Sequence, residues 1–201
     1  MSEAPDDAGE GAPDDAAVIA ATRRWIERAV IGLTLCPFAR APVRESRVRF
    51  RVSHARDVEA LAADLHEEAQ RLIDTDAAAI ETTLLIHPQV LGDFLDYNDF
   101  LDLADAVLET LDLDGELQIA SFHPNYQFAD TAADAVENCT NRSPYPILHL
   151  LRESSIEQAV GAIGDPDAIY QRNIETLRRL GVGGWQALWS ENGAAPGSAA
   201  E

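Results

Sequence analysis

The sequence predicts a single α/β domain built on a four-stranded, mostly parallel sheet flanked by helices, with the last strand able to run antiparallel. Three observations carry this. Apolar residues recur alternately at strand and helix spacing, giving the strand–helix–strand–helix–strand order that parallel crossovers produce. Two β-rich runs, "LLIHPQV" from Leu84 and "IASFHPNYQF" from Ile119, each stop at a His-Pro pair. The 201 residues, 46% hydrophobic and 25% charged, suffice for one packed core without disulfides or metals.

Residues 1–15, acidic and rich in Ala, Pro and Gly, and residues 190–201 read as disordered tails around a domain spanning 16–189. From Asp15 to Leu35, Ile19, Trp25, Ile26, Ala29, Val30 and Leu33 fall at helical spacing until Pro37 stops the run. "RVRFRVS" (47–53) alternates Arg with Val or Phe, the pattern of a half-buried or edge strand. Ser53 can then cap a helix over 55–74 whose inner face carries Val58, Leu61, Leu65, Ala69 and Leu72. "TTLLIH" (82–87) is the second strand, and a helix over 97–112 ends at Gly115. "ELQIASFH" (116–123) and "YPILHLLR" (145–152) are the third and fourth strands. Helices over 154–163 and 166–180 follow, the latter opened by Pro166, and "VGGWQALW" (182–189) lays Trp185 and Trp189 back on the body.

The charge excludes some partners. Thirty-five acidic residues stand against 15 basic ones, all Arg, for a formal charge of −20. Such a surface repels phosphate backbones, so nucleic acid is not expected as a partner. No apolar run approaches the roughly 20 residues a membrane span needs, and no signal architecture opens the chain. A cytoplasmic protein is expected, with two cysteines too few for a disulfide framework.

In open α/β sheets, ligands gather beyond the carboxyl ends of the parallel strands, where His87 and His123 both fall. The proline after each ends a ladder by itself and any residue could precede it, which suffices for His87, whereas the surroundings of His123 are richer. Around His123 lie Asn125, Gln127, Asn141 and Arg142, in "HPNYQF" and "ENCTNRSPYP". An antiparallel fourth strand would bring these two loops together over one cleft. His123 is then the candidate general acid/base, with Cys36 and His87 as nucleophile or helper. Arg142 is the candidate anchor for an anion, and Asn125, Gln127 and Asn141 would orient a polar or anionic small molecule. His149, mid-strand, reads as a buried, hydrogen-bonded core residue. No metal-ligand spacing and no phosphate-cradling Gly motif is present, so the sequence assigns no metal, leaves any cofactor unknown and fixes no oligomeric state. The alternatives are an interaction protein whose polar loops are structural, or a His/Cys metal-binding protein.

"GLTLCPFA" (32–39), "FHPNYQF" (122–128) and "NRSPYPILHLLRE" (141–153), in this order, resemble the bacterial family known as domain of unknown function 1415. The resemblance covers about residues 18–180. It implies a stand-alone cytosolic protein of this size and supplies no reaction, substrate or catalytic residue.

Overall fold

The computed structural model describes residues 13–163 and 166–189. The expected tails thus lie largely outside the described residues, and the first helix already starts at Asp15. The elements are α1 (Asp15–Trp25), a π-helical segment (Ile26–Ile31), α2 (Arg40–Arg44), β1 (Val48–Val52), α3 (Val58–Asp74), β2 (Thr82–Ile86), α4 (Phe94–Thr110), β3 (Leu117–Phe122), a 3-10 turn (Val136–Thr140), β4 (Ile147–Arg152), α5 (Glu153–Ile163) and α6 (Pro166–Ala187). Helix starts follow side-chain chemistry. Asp14, Asp57 and Asp93 each accept a backbone N–H of the first turn. Ser53, the expected cap of α3, instead accepts from the Ala55 N–H and donates to Asp64.

The sheet is mixed, in the order β1-β2-β4-β3. β1 and β2 pair parallel, whereas β4 runs antiparallel to both β2 and β3. The expectation of a mostly parallel sheet is therefore corrected: one pairing of three is parallel. The reason is that β4 inserts between its two parallel neighbours rather than adding at an edge. Burial explains the choice. β2 is buried at every position and β4 carries four large aliphatics, so both need neighbours on each side. β3 is mostly half-buried, with Gln118 exposed, and can stand at an edge.

Side-chain alternation splits the apolar core across the sheet. Leu85, Leu148 and Leu150 pack with α3 and α4 through Leu61, Leu65, Leu72, Tyr97 and Phe100. Leu84, Ile86 and Ile147 face Trp25, Ile26, Ala29 and Leu188 on the other side. The Arg residues of β1 are matched by α3: Arg49 makes two bonds of 2.6 and 2.8 Å to Glu68, a side chain only 2% exposed. Arg152 donates to the carbonyls of Leu72, Thr75 and Ile80, closing the carboxyl end of α3.

β1, β2 and β3 all point the same way, so their carboxyl ends share one edge with the start of β4. The backbone stitches that edge together: His87 N–H donates to Pro146 O (3.0 Å) and His123 N–H to Asn141 O (3.2 Å). The two loops that the sequence placed face to face do meet.

Candidate functional site

At this edge the two histidines bracket Tyr97. Its ring stacks on His87 at 5.7 Å and lies 5.1 Å from that of His123. Both imidazoles are fully buried. Nδ1 of His87 donates to Val90 O at 3.1 Å, while its Nε2 is sealed in without a partner. Burial, the largest influence, lowers its pKa to about 4. In His123, Nδ1 accepts the Asn125 N–H (3.0 Å), which leaves Nε2 as the protonated nitrogen donating to Leu91 O (3.2 Å). Burial again pushes its pKa down. Backbone groups thus occupy both nitrogens, and a substrate finds neither free.

The other candidates at the edge divide between holding the loops and lining a hollow. Asn141 Nδ2 donates to Ser121 O (3.0 Å) and Gln127 Nε2 to Thr131 O (2.6 Å). Asn125 is exposed and serves His123 through its backbone. Arg142 donates from Nε to Tyr126 O (3.2 Å) and from Nη2 to Ala133 O (2.5 Å), a fixed posture for its guanidinium. Together with Pro124, Ser143 and Pro144 it forms one wall of a cavity of about 440 Å³.

Arg24 and Trp25 of α1 and Trp185 and Trp189 of the carboxyl-terminal segment form the facing walls. All three tryptophans of the chain line this hollow. Gly181, at φ 68°, kinks α6 so that its last turn and the residues after it return towards α1, a conformation that costs other residues a strained backbone. Arg28 then donates to Leu188 O at 2.7 Å, and the Leu188 side chain enters the core beside Trp25. Trp185 and Trp189 meet edge-on, 5.4 Å apart. Arg23 lies over the Phe50 ring at 4.1 Å, while the exposed Arg24 next to it has no ion-pair or hydrogen-bond partner among the described residues. No carboxylate lines the cavity among the described residues, although the chain carries 35.

Cys36 lies elsewhere, in a second cavity of about 610 Å³ between the π-helical segment and the sheet face. Burial pushes its thiol above the usual range, outweighing the Phe38 and Ala39 N–H groups that favour the thiolate. His149 lines the same cavity, yet no hydrogen bond joins the two side chains among the described residues. Both cysteines are free, and among the described residues no three His, Cys, Asp or Glu side chains gather as a metal site would require.

The spacing of motifs reached Arg142 but missed Arg24 and the tryptophans. They come from the two ends of the chain, 160 positions apart. The one signal available was compositional: a chain with three tryptophans and no lysine places "RRW" in its first helix.

No described helix is long and apolar enough to cross a membrane. No curated protein matches the chain, and no solved structure does. The sequence model described as "Protein of unknown function (DUF1415)" matches residues 17–187, nearly the whole described body, and the chain belongs to that family.

Proposed function

We propose that the protein binds a small anionic molecule with a flat apolar body in the tryptophan-lined cavity at the carboxyl edge of the sheet. The convergence of all three tryptophans with Arg24 and Arg142, and no carboxylate, carries this reading. Indole walls offer large, rigid contact area at low entropic cost, and guanidinium groups suit carboxylate or phosphate oxygens. On a chain of charge −20, a hollow whose only charged lining residues are arginines is where an anion meets attraction rather than repulsion. Its volume lies within the roughly 300–1,000 Å³ of small-molecule sites. Arg142 is pre-set by its two carbonyl partners, so little order is lost when an anion arrives. Arg24, exposed and with no side-chain partner among the described residues, is the second cation. The reading asks for binding and no proton transfer, which accords with the engaged nitrogens of His123. The free thiols accord with a cytoplasmic setting.

Calorimetric titration with 3-phenylpropionate and with its uncharged counterpart 3-phenylpropan-1-ol tests the reading. The acid is expected to bind and the alcohol to bind far more weakly. Arg24→Gln should weaken the acid about threefold to tenfold, an effect that shrinks as salt is added, and should leave stability unchanged. Equal binding of acid and alcohol, or an Arg24→Gln protein that binds the acid as the parent does, would refute it.

A further inference from the structure

The second cavity holds a polar group whose protonation the hydrogen bonds fix. The Thr82 hydroxyl lies 2.6 Å from Leu150 O and 2.7 Å from Nε2 of His149. A carbonyl only accepts, so the single hydroxyl proton goes to Leu150 O, and Thr82 must accept from His149. The proton of the neutral imidazole is therefore on Nε2, which leaves a lone pair on Nδ1. Nδ1 has no hydrogen-bond partner among the described residues, and unlike Nε2 of His87 it is not fully buried. The His149 ring lines the 610 Å³ hollow, whose other walls include Ile26, Val30, Ala39, Ala120 and Phe122. At the rim Glu81 pairs with Arg47, and Arg152 is held through Nη2 by three carbonyls with its Nε sealed in.

We propose that this cavity is a second binding site, which takes up an uncharged, largely apolar molecule that donates one hydrogen bond, from an O–H or N–H group, to Nδ1 of His149. The apolar walls supply affinity and the lone pair supplies orientation. A cation has no free carboxylate here. An anion would face the lone pair of the imidazole, and the one guanidinium in the lining, Arg152, is already held by three carbonyls. Burial holds the His149 pKa near 4, so the ring remains an acceptor at neutral pH. Trp25 borders both hollows, but the two sites select opposite chemistries, so each can fail without the other.

The test uses N-phenyl-1-naphthylamine, a neutral N–H donor that fluoresces in apolar surroundings, with the full chain at pH 7. Saturable uptake is expected. Ala120→Phe and Ala39→Trp, which fill the cavity from opposite walls, should each abolish it, and one folded variant of the two suffices. Displacement by 1-octanol and by 1-methoxyoctane then isolates the hydrogen bond. The ratio of their potencies should shift about fivefold to tenfold against the alcohol in His149→Phe, the size of one neutral hydrogen bond. Absence of uptake, uptake unaltered by the filling variants, or an unchanged alcohol-to-ether ratio in His149→Phe would each overturn the proposal.

Discussion

Tyr97→Phe is expected to lower the unfolding free energy by about 2–4 kcal/mol, read as a lower urea midpoint with unchanged slope. The phenol oxygen donates to Ile147 O at 2.8 Å and accepts the Phe122 N–H at 3.1 Å. These residues form the final pair of the β3–β4 ladder, at the edge where the cavity opens. Phe keeps the ring, its contacts with both histidines and the volume of the core, so no hole is left to confuse the result. What disappears is a hydroxyl that bonds one main-chain atom of the edge strand β3 and one of its inner neighbour β4. The Ile147 carbonyl is buried and the Phe122 N–H partly so, and a buried atom left unmatched costs about 1–3 kcal/mol, more than the bond itself contributed. A midpoint within error of the parent would show that the strand ends satisfy each other without Tyr97.

The second large effect concerns acid. His87 is buried neutral with a pKa of about 4, against an ordinary 6.5 in the unfolded chain. A base whose folded pKa is depressed favours the folded state fully above 6.5, and that share is lost as pH falls toward 4, because only the unfolded state takes the proton. A difference of this size corresponds to about 3 kcal/mol for His87. His149 is depressed to the same value, but its ring borders an open cavity, so its share is smaller. Carboxylates add their own acid sensitivity, so the comparison that isolates His87 is with His87→Phe, whose ring can still stack on Tyr97. At pH 7 the variant should be about 1 kcal/mol less stable, having lost the bond to Val90 O. Near pH 4.5 it should be the more stable protein. Parallel stability-versus-pH curves would mean that His87 is already accessible to protons in the folded state.

Much of the architecture was written in local patterns. The alternation of "RVRFRVS" marks an edge strand because Arg49 and Arg51 reach the carboxylates of α3 while Val48, Phe50 and Val52 face the core. The His-Pro pairs mark strand ends for the same reason in both places: proline supplies no N–H to a ladder. Strand order was less legible. Periodicity says which residues share a face and nothing about which strand is a neighbour. The four aliphatics of β4 against the polar Gln118 and Ser121 of β3 were a hint that β4 lies inside and β3 at the edge.

The cleft itself was partly legible. An antiparallel fourth strand requires that "HPNYQF" and "TNRSPY" meet, and they do. Which side chains then look outward depends on hydrogen bonds that no spacing encodes. His123, the most conspicuous residue of the motif, is turned inward by the Asn125 N–H and the Leu91 carbonyl. Arg142 stands at the wall of a hollow. The facing wall is assembled by Gly181 and by the return of the carboxyl-terminal segment to α1, a contact between the two ends of the described chain. His149, read as a core histidine, has one nitrogen that fits that description and one that borders a cavity.

Because every indole of the chain stands at the walls of the cavity between these loops, α1 and the carboxyl-terminal segment, tryptophan emission reports its occupancy without a label. The most direct measurement is the change in that emission, excited at the red edge of the indole band, as 3-phenylpropionate is added at low salt. A saturable change is expected with the acid, absent with 3-phenylpropan-1-ol at the same concentrations, and displaced to several times higher concentration in Arg24→Gln. An emission spectrum that the acid leaves untouched, or that acid and alcohol alter alike, would contradict an anion site there.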